Sequence, residues 1–131
     1  MITDLVANAL TMIRNASLRG KETVNIPASS ALKEIIRIFK EENFIKDFRV
    51  LEDDRQGSIR VYLKYTKSNE SAISHIKRIS KPGLRIYKGK KEIPIALGGL
   101  GVTILTTSRG ILTDKEAKAK GVGGEIICQI W

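Results

Sequence analysis

The chain of 131 residues carries 23 lysines and arginines against 14 aspartates and glutamates, a formal net charge of +9 at pH 7. An apolar fraction of 42% with only three prolines is typical of a globular protein and excludes bulk disorder. A single cysteine excludes an internal disulfide framework, and no apolar run reaches the roughly 18 residues that a membrane helix needs.

The positive charge is concentrated in the second half of the chain. Residues 1–66 hold 11 basic and 9 acidic side chains, net +2, whereas residues 67–131 hold 12 and 5, net +7. An acidic start, with Asp4, does not open a signal peptide. The asymmetry indicates that the second half faces a polyanion, and a merely solubilising surface is the alternative.

The first predicted element is a helix over residues 2–17. Apolar side chains recur there at helical spacing: Val6, Leu10 and Ile13. Thr3 is expected to cap the amino terminus. Arg14 lies outside the main apolar stripe, so it either is solvated or reaches a phosphate.

A short strand and a second helix follow. The strand covers residues 22–26 and is closed by Pro27, and the helix begins at Ser29 or Ser30. Asn43 suits the left-handed position at the end of this helix, with apolar residues beyond it.

Two more strands complete the first half. Residues 44–51 and 58–65 predict an antiparallel hairpin, because the second run alternates apolar and polar side chains. We place the domain boundary in the polar stretch that follows. The chain is thus expected to be α+β, with an amino-terminal helix-strand-helix-strand-strand domain (1–66) and a carboxy-terminal β-rich domain with a short helix (67–131).

The secondary structure at the start of the second half is ambiguous. Ile73, Ile76 and Ile79 favour a strand there over a helix. His75, the only histidine, has no cysteine nearby, so a surface or half-buried side chain is favoured over a metal ligand.

A basic stretch over residues 76–91 has no acid within it. Pro82-Gly83 predicts a turn, after which Arg85 and Tyr87 share one strand face, where they can pair with phosphate and stack on a base. A lysine-rich strand edge kept soluble by charge is the alternative. Its cations are Lys77, Arg78, Lys81, Arg85, Lys88, Lys90 and Lys91.

The glycine run Gly98-Gly99-Leu100-Gly101 does not predict a dinucleotide site. That fingerprint follows a strand and opens a helix, whereas this run leads into a strand over residues 102–106. The glycines instead let the chain turn and approach a neighbour.

A hydroxyl-rich loop, Thr106–Gly110, follows that strand. Its hydroxyls either satisfy their own turn backbone or hydrogen-bond sugar and phosphate oxygens of RNA. The nearby basic stretch favours the second interpretation, because it supplies long-range attraction to the same ligand.

A capped helix and a final strand end the chain. Thr113 and Glu116 form a capping box, and Gly121 ends the helix. Residues 124–131 alternate as a strand in which Cys128 is a buried, inert thiol.

Sequence motifs of enzymes are missing. The chain has no nucleophile elbow, no Walker loop and no paired histidines, and Asp114 and Glu116 are accounted for by capping. We therefore expect no catalytic residues, no metal site, no cofactor and no small-molecule substrate.

Several blocks, in order, resemble the bacterial-type (bacterial or plastid) small-subunit ribosomal protein eight family. The resemblance covers nearly the whole chain. It is weaker in the first half, apart from the block Ile13-Arg14-Asn15-Ala16. The other blocks are Lys81-Pro82-Gly83-Leu84-Arg85-Ile86-Tyr87, Gly99-Leu100-Gly101, Thr106-Thr107-Ser108-Arg109-Gly110, Thr113-Asp114-Lys115-Glu116-Ala117 and Gly123-Gly124-Glu125.

The resemblance implies a two-domain α+β protein that binds a helical element in the central domain of small-subunit ribosomal RNA early in assembly. It also implies contacts with neighbouring ribosomal proteins, and location on ribosomes in the bacterial cytoplasm or plastid stroma. An extra-ribosomal repressor that binds messenger RNA is the alternative. The expected RNA-binding residues are Thr106, Thr107, Ser108, Gly110, Glu125, Arg85, Tyr87, Lys81, Lys88 and Arg14.

Overall fold

In the computed structural model, which describes residues 4–81 and 83–131, the chain divides into two compact units. One unit spans Leu5–Ser74, and the other comprises His75–Trp131 together with Asp4. Both mix helices with antiparallel strands, which confirms the predicted α+β class. The domain boundary predicted between residues 66 and 67 stays a prediction. A domain is a part of the chain that can fold by itself, and a compact unit of the structure need not have that property.

Two helices and a three-stranded antiparallel sheet form the first unit, with strand order β1-β3-β2. Buried apolar side chains of both helices and of the central strand form its core. The elements are α1 (Asp4–Leu18), β1 (Thr23–Pro27), α2 (Ser30–Glu41), β2 (Ile45–Leu51) and β3 (Ser58–Leu63).

Side-chain and backbone caps fix both ends of α2. The Ser29 hydroxyl accepts a hydrogen bond from the Leu32 N–H at 3.1 Å, so Ser29 rather than Ser30 is the N-cap. Asn43 has a φ of 65°, and the Phe44 N–H donates to the Phe39 carbonyl at 2.9 Å. The predicted left-handed C-cap is therefore confirmed. The cap predicted for the first helix, at Thr3, lies outside the described residues.

Residues 67–74 are held to the first unit by hydrogen bonds. The Ala72 N–H donates to the Lys64 carbonyl at 2.9 Å. The hydroxyls of Ser17 and Ser71 are hydrogen-bonded to each other. These bonds explain why this segment groups with the elements that precede it.

An antiparallel sheet dominates the second unit, with the last strand at its centre. This strand, β8, pairs with β4 and β5 on one side and with β6 on the other, and β6 pairs in turn with β7. The elements are β4 (Ile76–Arg78), β5 (Tyr87–Lys88), β6 (Val102–Thr107), β7 (Gly110–Thr113), α3 (Asp114–Lys120) and β8 (Gly124–Ile130), with a 3-10 turn at Ala96–Gly99.

The core of the second unit lies between the sheet and α3. Its buried members are Ile93, Leu105, Leu112, Ala117 and Ile126. The predicted capping box of Thr113 and Glu116 is present, and Gly121 takes the left-handed conformation that ends α3. The Asp114 carboxylate, itself buried, also accepts a hydrogen bond from the Thr103 N–H at 3.3 Å.

Some local predictions are confirmed and others are wrong. The strand favoured near Ile76 is present, and His75 is exposed and stacks on the Trp131 ring at 5.3 Å. The strand predicted after the Pro-Gly turn shrinks to Tyr87–Lys88, and Leu84 is 61% exposed. β7 was not predicted, because four residues show too little alternation to identify a strand.

Replacing Ser29 with Ala should lower the free energy of unfolding by about 0.5–2 kcal/mol, because the first turn of α2 loses its side-chain acceptor. Ser30→Ala is the matched control, since Ser30 is exposed within the helix. Denaturant unfolding of both variants measures the difference, and equal effects would contradict Ser29 as the N-cap.

Burial raises the pKa of the Cys128 thiol to about 12, from an ordinary value of 9.0. Because only the unfolded chain ionises this thiol between those values, the contribution of Cys128 to stability is intact below pH 9 and is lost as the pH rises. Relative to Cys128→Ala, the chain should lose about 1.4 kcal/mol of unfolding free energy between pH 8 and pH 10. Denaturant titrations at the two pH values test this, and a constant difference would contradict it.

Candidate nucleic-acid interface

Three separate stretches of the chain meet where β8 begins. Glu125 pairs with Tyr87 of β5 on one side and with Thr106 of β6 on the other. In the next row, Gly124 lies between Lys88 and Thr107. The sheet thus brings the hydroxyl-rich stretch, the Arg-Ile-Tyr stretch and the Gly-Gly-Glu stretch to one end.

The turn between β6 and β7 is a tight hairpin closed by Thr107. The Thr107 hydroxyl donates to the Gly110 carbonyl at 2.8 Å and accepts from the Arg109 N–H at 3.0 Å. Gly110 has a φ of 103°, which a side chain would strain. The first interpretation of the hydroxyls therefore holds for Thr107, which satisfies the turn, and the contact with RNA stays a prediction.

Ser108 and Thr106 present the remaining hydroxyls of this hairpin. Ser108 is exposed at the tip and Thr106 is half-buried in the adjoining row of the sheet. Within the described part of the chain, no protein group hydrogen-bonds either hydroxyl. Short hydroxyl side chains on a fixed hairpin can bind sugar and phosphate oxygens at little entropic cost.

Glu125 is the buried acid of this basic region, with 2% of its surface exposed. Its carboxylate oxygen lies 3.2 Å from Nη1 of Arg85, which is itself 27% exposed. A buried carboxylate requires such a partner, and the pair fixes the direction of the guanidinium. The contact with RNA predicted for Glu125 stays a prediction, since what the structure shows is its pairing with Arg85.

Two glycines let β8 lie close to both of its neighbours. A Cβ atom on Gly124 would lie 2.0 Å from the Thr106 carbonyl oxygen, and one on Gly123 would lie 2.2 Å from that of Lys88. Both contacts are with backbone atoms, which cannot rotate away as a flexible side chain can. Any side chain at these positions would therefore push apart the strands that carry the candidate site.

Ser80 is a buried residue that the sequence analysis missed. Its hydroxyl accepts from the Ile86 N–H at 2.9 Å, and its own N–H donates to the Ile126 carbonyl at 3.1 Å. These bonds attach the segment that carries Arg85 and Tyr87 to β8. The sequence signal that could have indicated this buried position is a single polar residue, Ser80, between an isoleucine-rich segment and a basic segment.

Tyr87 and the lysines provide the exposed part of the region. Tyr87 is 64% exposed. Lys88 adjoins it, and Lys81 lies on a tight turn closed by two hydrogen bonds of 2.9 Å with Leu84. Pro82 of that predicted turn lies outside the described residues. Arg14 is exposed on α1 and belongs to the other unit.

Other kinds of site are not found in the part of the chain that the structure describes. Within residues 4–81 and 83–131, no three His, Cys, Asp or Glu side chains are grouped as metal ligands would be. Nor does a helix there have the length and apolarity needed to cross a membrane.

Comparison with known proteins identifies close relatives. The profile of a family described as Ribosomal protein S8 matches residues 4–131. A protein named small ribosomal subunit protein uS8 from Desulforudis audaxviator is 56% identical over 131 residues, all of both chains. Proteins of the same name from Alkaliphilus oremlandii and Streptococcus uberis are 57% and 51% identical, covering at least 98% of each chain.

We expect Gly124→Ala to destabilise the second unit by at least about 1–3 kcal/mol, because the added methyl group meets the Thr106 carbonyl. Gly89→Ala is the matched control, since a Cβ there would meet nothing within 4 Å. Denaturant unfolding compares the two, and a Gly124→Ala variant as stable as the control would contradict the close approach.

Proposed function

The chain belongs to the ribosomal protein S8 family, and from that membership we propose that it binds the central domain of small-subunit ribosomal RNA directly and helps the subunit to assemble. Members of this family are structural proteins of the ribosome and not enzymes. The candidate site of this chain lies at the end of the sheet where β5, β6 and β8 meet.

One observation carries the proposal. Stretches that lie far apart in sequence, around Arg85, Thr106 and Glu125, occupy adjoining positions of one sheet end. Their side chains combine an exposed ring, hydroxyls and cations, which are the groups that recognise bases, sugars and phosphates together. A surface that was merely solubilising would not need this convergence.

Each group has a distinct proposed role. The Tyr87 ring stacks on a base or ribose, and the Ser108 and Thr106 hydroxyls bond sugar or phosphate oxygens. Arg85, held by Glu125, presents a guanidinium in a fixed direction. Thr107 and Gly110 shape the hairpin through the bond from the Thr107 hydroxyl to the Gly110 carbonyl, and Thr107 and the Gly110 backbone would contact the ligand beside the hairpin tip.

The remaining cations are proposed to act at longer range. Lys81 and Lys88 are exposed beside the site, where they attract phosphates without selecting a sequence. Arg14 would contact RNA from the first unit. We further propose that the protein resides on ribosomes, in bacterial cytoplasm or plastid stroma, and contacts neighbouring ribosomal proteins there.

We expect Ser108→Ala to weaken binding to an RNA stem from the central domain by about 1–3 kcal/mol, because a buried oxygen of the RNA loses its partner. Lys90→Ala should instead lower the affinity for all RNAs alike and flatten the salt dependence. Filter binding with the cognate stem and an unrelated stem, each at several salt concentrations, separates the two effects.

If Ser108→Ala and Lys90→Ala lower the affinity equally and for both RNA stems, this division of roles is refuted.

Sedimentation of cell extracts in low and high salt tests the wider proposal. The protein should remain with purified small subunits in both conditions, and its absence from them would favour an extra-ribosomal repressor of messenger RNA.

A further inference from the structure

Ser80 lies on one side of β8, between the places where β4 and β5 pair with that strand. Its N–H donates to the Ile126 carbonyl at 3.1 Å. The Ile126 N–H in turn donates to the Ile86 carbonyl at 2.9 Å. The segments of Ser80 and Ile86 therefore meet at the residue of β8 that follows Glu125.

The Ser80 hydroxyl holds both backbone polar groups of Ile86. It accepts from the Ile86 N–H at 2.9 Å and lies 3.3 Å from the Ile86 carbonyl, to which it donates. Ser80 is fully buried. Because Arg85 and Tyr87 flank Ile86, the same two bonds restrain the backbone from which both of these side chains project.

Other small side chains do not match serine in this place. Alanine has neither donor nor acceptor, and it would leave the Ile86 N–H without its partner. Cysteine is a weak donor and a weak acceptor, and threonine adds a methyl group at a fully enclosed position. The position therefore requires a short side chain that donates and accepts at once.

Arg78 supports Ser80 through a further hydrogen bond. Its Nε donates to the Ser80 carbonyl at 2.8 Å. Its Nη2 is shielded from solvent, whereas the neighbouring side chain of Lys77 is exposed. The cations of the basic stretch thus differ in kind, since exposed lysines attract a polyanion at long range and Arg78 supplies a directed bond within the protein.

We propose that Ser80 and Arg78 are positioning residues of the RNA site, which fix the directions of Arg85 and Tyr87 without touching the ligand. The inference rests on the proposed function, because it assigns how that same site is held. Binding groups select one ligand over another only when neighbouring groups keep them close to their productive geometry. Ser80 and Arg78 therefore determine specificity more than general affinity.

A role in stability alone is the alternative, because any buried hydroxyl needs hydrogen-bond partners. The two roles have different consequences for binding. A residue that only stabilises the fold changes the folded fraction, and its loss weakens every RNA equally. A positioning residue, once the variant is folded, weakens only the RNA that its ring and guanidinium recognise.

Ser80→Ala in the full-length protein should lower the affinity for the central-domain stem roughly tenfold, because the Ile86 backbone loses its side-chain partner. The affinity for an unrelated stem should stay within about twofold, since no charge is removed. Filter binding measures both affinities, and a thermal unfolding curve shows that the variant is folded at the assay temperature.

Arg78→Lys keeps the positive charge and removes the directed bond from Nε. It should weaken binding to the central-domain stem by roughly 3- to 10-fold and leave the unrelated stem unaffected. Lys77→Gln is the comparison, because it removes an exposed charge from the neighbouring position. That variant should weaken both stems alike and flatten the salt dependence.

Combined variants test whether Ser80 acts through the ring. In a chain that carries Tyr87→Ala, the effect of Ser80→Ala on stem binding should shrink at least about threefold, since one group that Ser80 orients is gone. In a chain that carries Ser108→Ala, the effect should be retained in full, because Ser108 lies between β6 and β7. If Ser80→Ala does not fold, Arg78→Lys replaces it in both combinations.

Three results would overturn the proposal. Equal weakening toward both stems would assign Ser80 and Arg78 to stability alone. Equal effects in the Tyr87→Ala and Ser108→Ala chains would remove the link to the ring, and unchanged stem binding by both single variants would exclude any role. A wild-type chain that does not bind the central-domain stem would instead refute the proposed function, so the two failures are distinguishable.

Discussion

The candidate site depends on how closely three backbone segments approach one another. Gly123 and Gly124 leave no room for a Cβ atom between β8 and its neighbours. That approach places Glu125 between Tyr87 and Thr106. Since the backbone itself fills this space, the sheet sets the positions of Tyr87, Thr106 and Glu125.

A polar network secures the same end of the sheet. Ser80 joins the segment of Ile86 to β8 by hydrogen bonds, and Glu125 forms an ion pair with Arg85. Thr107 closes the adjoining hairpin. Each of these groups is engaged within the protein, which leaves the exposed ring of Tyr87 and the hydroxyl of Ser108 as the surface for a ligand. Rigid placement of a few short side chains lowers the entropy lost on binding.

The sequence was sufficient to predict much of this arrangement. Helical spacing, the capping box at Thr113 and the left-handed residue Asn43 are local signals, and local hydrogen bonds determine them. Alternation predicted β3 and β8 because each buries long apolar side chains. The composition of the hydroxyl-rich hairpin, by contrast, did not show which of its hydroxyls the turn itself would use.

What could not be predicted depends on pairing between distant strands. The partners of β8 decide that Glu125 is buried beside Arg85, and nothing local to either residue shows it. β7 and the two-residue β5 form only because β6 and β8 are there to pair with. Arg49 and Arg60 are likewise eleven positions apart in sequence and lie opposite each other only through the register of β2 and β3.

The acid at the end of the second sheet stabilises the candidate site before any ligand is bound. The buried carboxylate of Glu125 offsets the charge of Arg85, so this arrangement can exist without a ligand at little electrostatic cost. A candidate site that is fixed in this way favours a ligand that matches its shape over any anion that merely reaches it.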